Sequence, residues 1–372
     1  MFPRIFDRYL GRQIGMATLI GVVLLSGLMV LGNVYKMLDQ LLGNSEVPAS
    51  LVLEFVAMVI PFSLTFTIPW AFLTGILLTF GRLSADNELV SLRMTGMSMP
   101  RICLPVFVLA VLLSGVCLWV NVDLAPAAKN RMKRLFYRVV VENPETLFQE
   151  GQVLDKMPGM RIYTGKRNGK EMTDLHIMML DSVAGNSYIR AESATLYSEK
   201  DSPDIMLNLH GTNLEQATAG DAAKTNANAF GESWMNFSLA KLKEDKVRVN
   251  ASMKTTAALL DEVNSWKDQD GADLNAVQRS LSYTELSKRF SFSLASITFA
   301  LVAIPLGVTA QRRETTMGFV IGLGVALVYM TFIITGDALN DKPGAMPHLI
   351  MWVPNVLFLG LGAWMFRRLS RR

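Results

Sequence analysis

Few side chains in this sequence are arranged for chemistry. The run Gly165-Lys166-Arg167-Asn168-Gly169-Lys170 is the nearest approach to a phosphate cradle. It lacks the spacing of G-x-x-x-x-G-K-[ST] and the hydroxyl residue that a phosphate cradle requires, so no nucleotide is expected there. The three histidines, His176, His210 and His348, are far apart, and none belongs to a zinc-binding H-E-x-x-H helix. Two of them fall in expected strands and could converge, but a solvent-facing strand position is the simpler reading. Serines and aspartates show no nucleophile elbow. Cys103 and Cys117 share one apolar run, about 21 Å apart along a helix rising 1.5 Å per residue, and cannot pair. The chain is therefore read as non-catalytic, with no cofactor and no metal of its own.

The densest pattern of polar and apolar types runs from Gly81 to Ser98. Asp86 and Glu88 favour the start of a helix, Arg93 its end, and Gly96 suits the C′ position, so the charges complement the helix dipole. A short amphipathic helix is expected at about 84–97. Leu89 and Leu92, three apart, share a face and form an apolar ridge beside Glu88. Two readings stand side by side here: a linker resting on lipid headgroups, or a helix that plugs into a cytoplasmic partner and transmits its motion.

Such a helix must be held by something, and the composition says what. Of 372 residues 51% are hydrophobic and only 18% charged, with mean hydropathy +0.29. Soluble domains carry about a quarter charged residues. Most of the charge lies between Asp123 and Arg289, and the flanks are nearly free of it. A helix crosses the hydrocarbon with roughly 20 apolar residues. Six runs qualify: Ile14 to Tyr35, Phe55 to Gly81, Ile102 to Val122, Phe290 to Gln311, Met317 to Gly336 and Leu349 to Phe366. Pro61 and Pro69 should kink or break the second, because each removes a backbone donor.

Lys and Arg beside the spans set the expected orientation. Arg4, Arg8 and Arg12 precede span one; Arg82, Arg93 and Arg101 separate two from three; Arg312 and Arg313 separate four from five; Arg367, Arg368, Arg371 and Arg372 follow six. The alternate short loops carry only Lys36 and Lys342. Both termini are thus expected in the cytoplasm and the polar middle segment on the far side. The net charge of +4 is a topology signal, and without a basic-aromatic platform nothing points to nucleic acid.

The middle segment alternates as strands do. Leu175, Ile177 and Met179 form one such series, Ile205, Leu207 and Leu209 another, and Met235, Phe237 and Leu239 a third, with glycines between. A sandwich, jelly roll or partly open barrel fits. The stretch from Leu259 to Trp266 looks helical, and Ser282 with Glu285 makes a capping box just before span four. The expected organisation is 1–122 for three spans with the short helix, 123–289 for a β domain, and 290–372 for three further spans.

Residues 84–98 resemble the [ST]-x-x-x-E-[LI]-x-x-[LM]-x-x-x-G-x-[ST] coupling loop of the LptF/LptG (YjgP/YjgQ) permeases, the membrane subunits of the lipopolysaccharide exporter. Ser84, Glu88, Leu89, Leu92, Gly96 and Ser98 occupy its positions. The likeness extends to Asp7-Arg8-Tyr9-Leu10, to the three-plus-three division around the insert, and to the stretch from Ala345 to Asn355. It implies a polytopic α-helical membrane protein of six helices with an inserted periplasmic β-jelly-roll-like domain, lodged in the inner membrane of a Gram-negative cell. It further implies a homologous LptF- or LptG-type permease as partner, an LptB-type cytoplasmic ATPase dimer carrying ATP and Mg, LptC- and LptA-type periplasmic bridge proteins, and lipopolysaccharide as cargo. By the same resemblance Glu88 docks on the ATPase, supported by Arg93 and the Leu89/Leu92 ridge, while Lys36 with Asp39 faces a lipid A phosphate. A lysine snorkelling at the interface explains Lys36 equally well.

Exposing acyl chains to water costs about 0.8 kcal/mol per CH₂, so carrying a lipid demands a continuous apolar path. Leu207, Leu209, Phe237 and Leu239 are candidates for its β portion, or for an ordinary core. Other classes remain: an ABC permease for a different envelope lipid or lipoprotein, a membrane-bound enzyme acting on envelope lipid or peptide, or a scaffold whose β domain docks partners.

Overall fold

The computed structural model describes residues 5–41, 49–142, 147–157, 159–179, 187–198, 204–218, 221–238, 250–265, 275–310 and 316–371. The chain divides into two units, one of 1–32, 56–130 and 250–372 and the other of 33–55 and 131–249.

The apolar runs form long helices, as the lack of interrupting charge requires. They are α1 (Ile5–Leu41), α2 (Ala49–Ala85), and α4 (Met99–Trp119), which continues through a π turn (Val120–Leu124) into α5 (Ala125–Glu142). Between α2 and α4 lies the short α3 (Glu88–Met94). After the β segment and a small helix, α6 (Thr256–Ser265), come α7 (Ala276–Ala310), α8 (Thr316–Ala338), α9 (Pro347–Ile350) and α10 (Val353–Arg371). Among the described residues five helices are long and apolar enough to cross a membrane, or six when α9 and α10, bent by 42°, count as one span. The protein is a polytopic helical membrane protein with an inserted β domain.

Three local expectations are corrected. Of the kink or break expected at Pro61 and Pro69, the break does not occur: helix α2 runs continuously through both. In hydrocarbon a broken helix would strand several backbone groups, a larger penalty than the one bond each proline removes. The last span does not begin as a single helix at Leu349; Pro347 and Pro354 each sit in a first turn, where their missing N–H goes unneeded, and the chain bends between them. Ser282 and Glu285 do not cap the fourth span, because α7 starts six residues earlier at Ala276. The reciprocal cap is made by Asn275 and Gln278: the Gln278 N–H donates to Asn275 Oδ1 at 2.8 Å, and the Asn275 N–H to Gln278 Oε1 at 3.0 Å.

Helix α7 is the hub of the helical unit: 67% of its most apolar window is buried inside the chain, against 17% for α1. Phe292, Phe299, Val302 and Ile304 of α7 join Phe72, Ile76 and Phe80 of α2, Ile102 and Val106 of α4, and Tyr329 of α8 in one core. Asn355 of α10 ties three of these helices together. Its amide donates to the Ser291 carbonyl and hydroxyl of α7, each at 2.8 Å, and its oxygen accepts from Tyr329 of α8 at 3.3 Å. Polar side chains join helices where the surrounding medium offers them no water.

Among the described residues the insert forms one antiparallel sheet, with strands β1 (Val153–Met157), β2 (Met160–Asn168), β3 (Glu171–Met179), β4 (Ser187–Ser198), β5 (Asp204–Thr218) and β6 (Asp221–Ser238) pairing in sequence order. Ile162, Leu175, Ile177, Ile189, Leu196, Ile205, Leu207, Leu209 and Phe237 are buried together on one face. A row of residues crosses the sheet where the in-and-out alternation slips by one in the inner strands. Gly165, Asp174, Glu192, Gly211 and Gly231 stand opposite one another without bridging, although the register on either side is unchanged. Before the row in β5, Ile205, Leu207 and Leu209 point inward; after it, Thr212 does. Asp174 and Gly211 have φ of 55° and 62°. A Cβ on Gly165 would lie 2.9 Å from the Thr173 carbonyl oxygen, so glycine is needed for the strands to approach. Irregularities of this kind bend strands, and a line of them creases a sheet while keeping its apolar face continuous.

Candidate functional site

Helix α3 is separated from α2 by a tight turn whose pivot, Asn87, has φ 55°, a conformation asparagine tolerates better than most residues. At the other end Gly96, φ 85°, takes the expected C′ place, and its N–H bonds the Arg93 carbonyl at 2.9 Å. The regular helix is shorter than the expected 84–97, spanning Glu88–Met94. Ser84 instead belongs to the last turn of α2, and its hydroxyl donates to the Val308 carbonyl of α7 at 3.1 Å. Asp7 of α1 pairs with Arg101 of α4 at 2.7 Å. Two long-range ties thus frame the short helix between four of its neighbours.

The structure divides the expected coupling residues by direction. Leu89 is buried and Leu92 packs against the same helical core, so this ridge fastens α3 to its own chain. Glu88 and Arg93 are partly exposed. The face turned outward carries Val90, 53% exposed, and Met94, 85% exposed. These two residues, at i and i+4, were missed in the sequence; their spacing on the side opposite Leu89 was the available signal.

Sequence reasoning also missed an ionic knot at the end of the spans from which the β insert leaves. Arg289, 4% exposed, donates to Glu285 at 3.1 Å, to the Thr256 hydroxyl at 2.8 Å and to the Lys254 carbonyl at 2.9 Å. The Thr256 hydroxyl in turn donates to the Val122 carbonyl in the π turn at 2.9 Å. Lys254 pairs with Glu262, which also accepts from Ser282. One buried arginine therefore fixes the returning chain to α7 and to the wide turn of the third span. The expected span limits, Val122 and Phe290, had cut this knot in two.

In the β unit Leu207, Leu209 and Phe237 lie on the buried face, at 0%, 0% and 4% exposure. Leu239 lies outside the described residues, as do the side chains of Lys36 and Asp39, which fall in the last turns of α1. His176 and His210 do not converge: they sit on β3 and β5 at different register positions. His176 is held between the Tyr188 hydroxyl, on Nδ1, and Asp174 Oδ1, 3.0 Å from Nε2. The hydrogen bond from His176, with Arg190 behind it at 3.3 Å, holds the Asp174 carboxyl below the usual carboxylate range. This exposed group anchors the crease residue Asp174. Arg167, within the glycine-flanked run, donates to the Phe148 carbonyl at 3.1 Å and the Gly169 carbonyl at 2.9 Å, a structural role in a run from which no phosphate contact was expected. Among the described residues no group of three or more His, Cys, Asp and Glu could hold a metal ion. Both cysteines are free and buried.

Comparison with known proteins matches residues 8–368 to the family model of the lipopolysaccharide export system permease LptF/LptG. The lipopolysaccharide export system permease protein LptF of Escherichia coli (strain K12) is 23% identical over 325 residues, which cover 86% of this chain and 82% of that protein. The LptF protein of Shigella flexneri is similar to the same extent.

Proposed function

Because the chain belongs to the LptF/LptG family of lipopolysaccharide export permeases, we propose that it is one of two related permease subunits that take lipopolysaccharide from the inner membrane and pass it toward a periplasmic bridge. The reading makes it a non-catalytic subunit with cytoplasmic termini and a periplasmic β domain. An LptB-type ATPase dimer binds ATP and Mg and supplies the work, and LptC- and LptA-type proteins receive the lipid. The LptF names of its relatives favour the LptF-type role. Residues 123–289 act in it as the periplasmic domain, between spans in 1–122 and 290–372.

The observation that carries this reading is the construction of α3. Its inner ridge, Leu89 and Leu92, is locked into the helical core, while Glu88, Val90, Arg93 and Met94 are offered outward. A partner gripping the outer face would move the bundle as a whole, because the ridge leaves the short helix no freedom of its own. The apolar face of the sheet, with Leu207, Leu209 and Phe237, then serves as the slide for acyl chains when the sheet opens, and Lys36 with Asp39 meets a lipid phosphate at the outer end of span one.

The test is copurification and transport. The wild-type chain should bring down an ATPase, and mass spectrometry of the complex should find lipopolysaccharide. Glu88→Lys or Val90→Asp should separate ATP hydrolysis from lipid release without preventing nucleotide binding. Normal export by both variants would sink the coupling role. A different bound lipid would redirect the reading to another envelope exporter.

A further inference from the structure

The π turn at Val120–Leu124 inserts one residue into the third span. An inserted residue rotates everything downstream by about 100° relative to a regular α-helix. Downstream of it Ala125, Pro126 and Ala128 are buried, and Lys129 beside them is half-buried. Its ammonium lies 4.8 Å from the centre of the Phe62 ring. No carboxylate lies within ion-pair distance of it among the described residues.

Lys129 opens onto a cavity of about 220 Å³, whose walls also include Thr284, Glu285 and Lys288 of α7, and Asp337 and Asn340 at the end of α8. A water molecule occupies about 30 Å³ of liquid, so the space suits several waters or one small polyatomic group. The wall carries two lysines and two carboxylates, but Lys288 is paired with Asp337 and Glu285 with Arg289 behind the wall, which leaves Lys129 without an ion-pair partner among the described residues. The Thr284 hydroxyl, on a side chain 2% exposed, has no hydrogen-bond partner among the described residues. A buried hydroxyl left unsatisfied costs about 1–3 kcal/mol, so the wall is complete only when something accepts or donates there. An ammonium without such an ion-pair partner, a second ammonium already half-used and an unsatisfied hydroxyl together call for an anion rich in oxygen acceptors.

We infer that this cavity is a binding site for a phosphate monoester, with Lys129 as its principal charge and Thr284 and Asn340 as hydrogen-bonding groups. The tetrahedral anion offers several acceptors to donors on α5, on α7 and in the turn that follows α8. The site stands on this geometry alone; only the identification of a lipid-borne phosphate as its natural occupant rests on the transport reading above.

The experiment uses the full chain, purified with whatever subunits accompany it, in phosphatidylcholine nanodiscs. Binding of a fluorescent phosphatidic acid is measured against a fluorescent diacylglycerol that lacks the phosphate, with inorganic phosphate as competitor. The wild type should prefer phosphatidic acid, and Lys129→Gln should weaken that binding about tenfold, the scale of one lost charge-assisted hydrogen bond. Lys129→Arg should recover much of it, Thr284→Val should weaken it severalfold, and Lys342→Gln, a lysine on the neighbouring loop, should change nothing. Displacement by inorganic phosphate would show that the free group suffices, and its failure that the acyl chains contribute; the site is supported either way. Equal binding of the two lipids by the wild type, or undiminished binding by Lys129→Gln, would overturn it. A complex that holds phosphatidic acid through Lys129 but never lipopolysaccharide would refute the transport reading and leave the site in place.

Discussion

The helical unit and the sheet distribute the same residue types in opposite senses. In the helical unit apolar side chains such as Leu19, Val23, Leu24 and Leu28 of α1 face outward, while Asn355, Ser291, Tyr329 and Arg289 are buried and bonded within. In the sheet the buried face is leucine, isoleucine, methionine, alanine and phenylalanine, and Asp174, Arg190 and Glu232 lie on the outside. The inversion follows from the solvent each unit is made for. Hydrocarbon gives no reward for burying a leucine, so buried polar bonds and close packing must join helices. Water rewards burial directly, so the sheet needs no polar glue.

Substitutions can break or sharpen that contrast. The largest effect is expected from Leu207→Ala, which removes a fully buried side chain from the sheet and should cost about 2–5 kcal/mol. Limited proteolysis should then cut within 131–249 while the helical fragments stay intact; equal loosening of both units would show that the sheet is not stabilised independently. Next comes Asn355→Ala, which removes the amide that links Ser291 to Tyr329 and Thr298 and should cost about 1–3 kcal/mol. Thermal unfolding in detergent should reveal it, and Asn355→Leu should not rescue it, since volume is not what Asn355 supplies. A full rescue by leucine would erase the distinction between the two cores.

Gly211→Ala should follow, at about 1–2 kcal/mol, because the position requires positive φ and the new Cβ would meet the Glu192 side chain at 2.9 Å. Gly231→Ala, in the same row with open space around it, should be nearly silent. Comparing the two in a chemical denaturation series tests whether the crease is held by backbone conformation. The smallest effect is electrostatic. The Asp174 carboxyl is held below its usual range in the folded protein, so its contribution is present above the unfolded pKa, about 3.9, and fades as the pH falls through the lower folded value. Melting temperatures of wild type and Asp174→Asn should therefore differ at neutral pH and converge in acid. The difference should stay small, because the group is open to solvent.

The spans were legible because a run without charge has one stable fate in a bilayer. Leu89 and Gly96 were legible too, the first as an apolar residue on one helical stripe and the second as a C′ residue. The direction of the Leu89/Leu92 ridge was not. Periodicity groups residues on a face but does not say whether that face meets its own chain or another, and here the ridge meets its own core. The cap at Asn275 and Gln278 was overlooked because Ser282 and Glu285 offered an equally good pattern closer to the apolar run, and only the start of α7 at Ala276 separates the two. The crease was illegible for a different reason. Gly165, Asp174, Glu192, Gly211 and Gly231 are unremarkable one at a time, and become a line only when five strands are set side by side.

By itself the sequence determined that this chain enters a membrane, which runs are apolar enough to cross it, and that its middle third alternates as strands do. Those outcomes depend on the free energy of transferring local segments between water, hydrocarbon and a half-buried face, which each segment carries within itself. Which residues were brought together only the tertiary structure decided: Ser84 on Val308, Arg289 on the returning chain, Lys129 beside Thr284 and Asn340. Such meetings rest on register, on one inserted residue in a π turn and on the packing of distant helices, and none of these is a sum over neighbours in the chain.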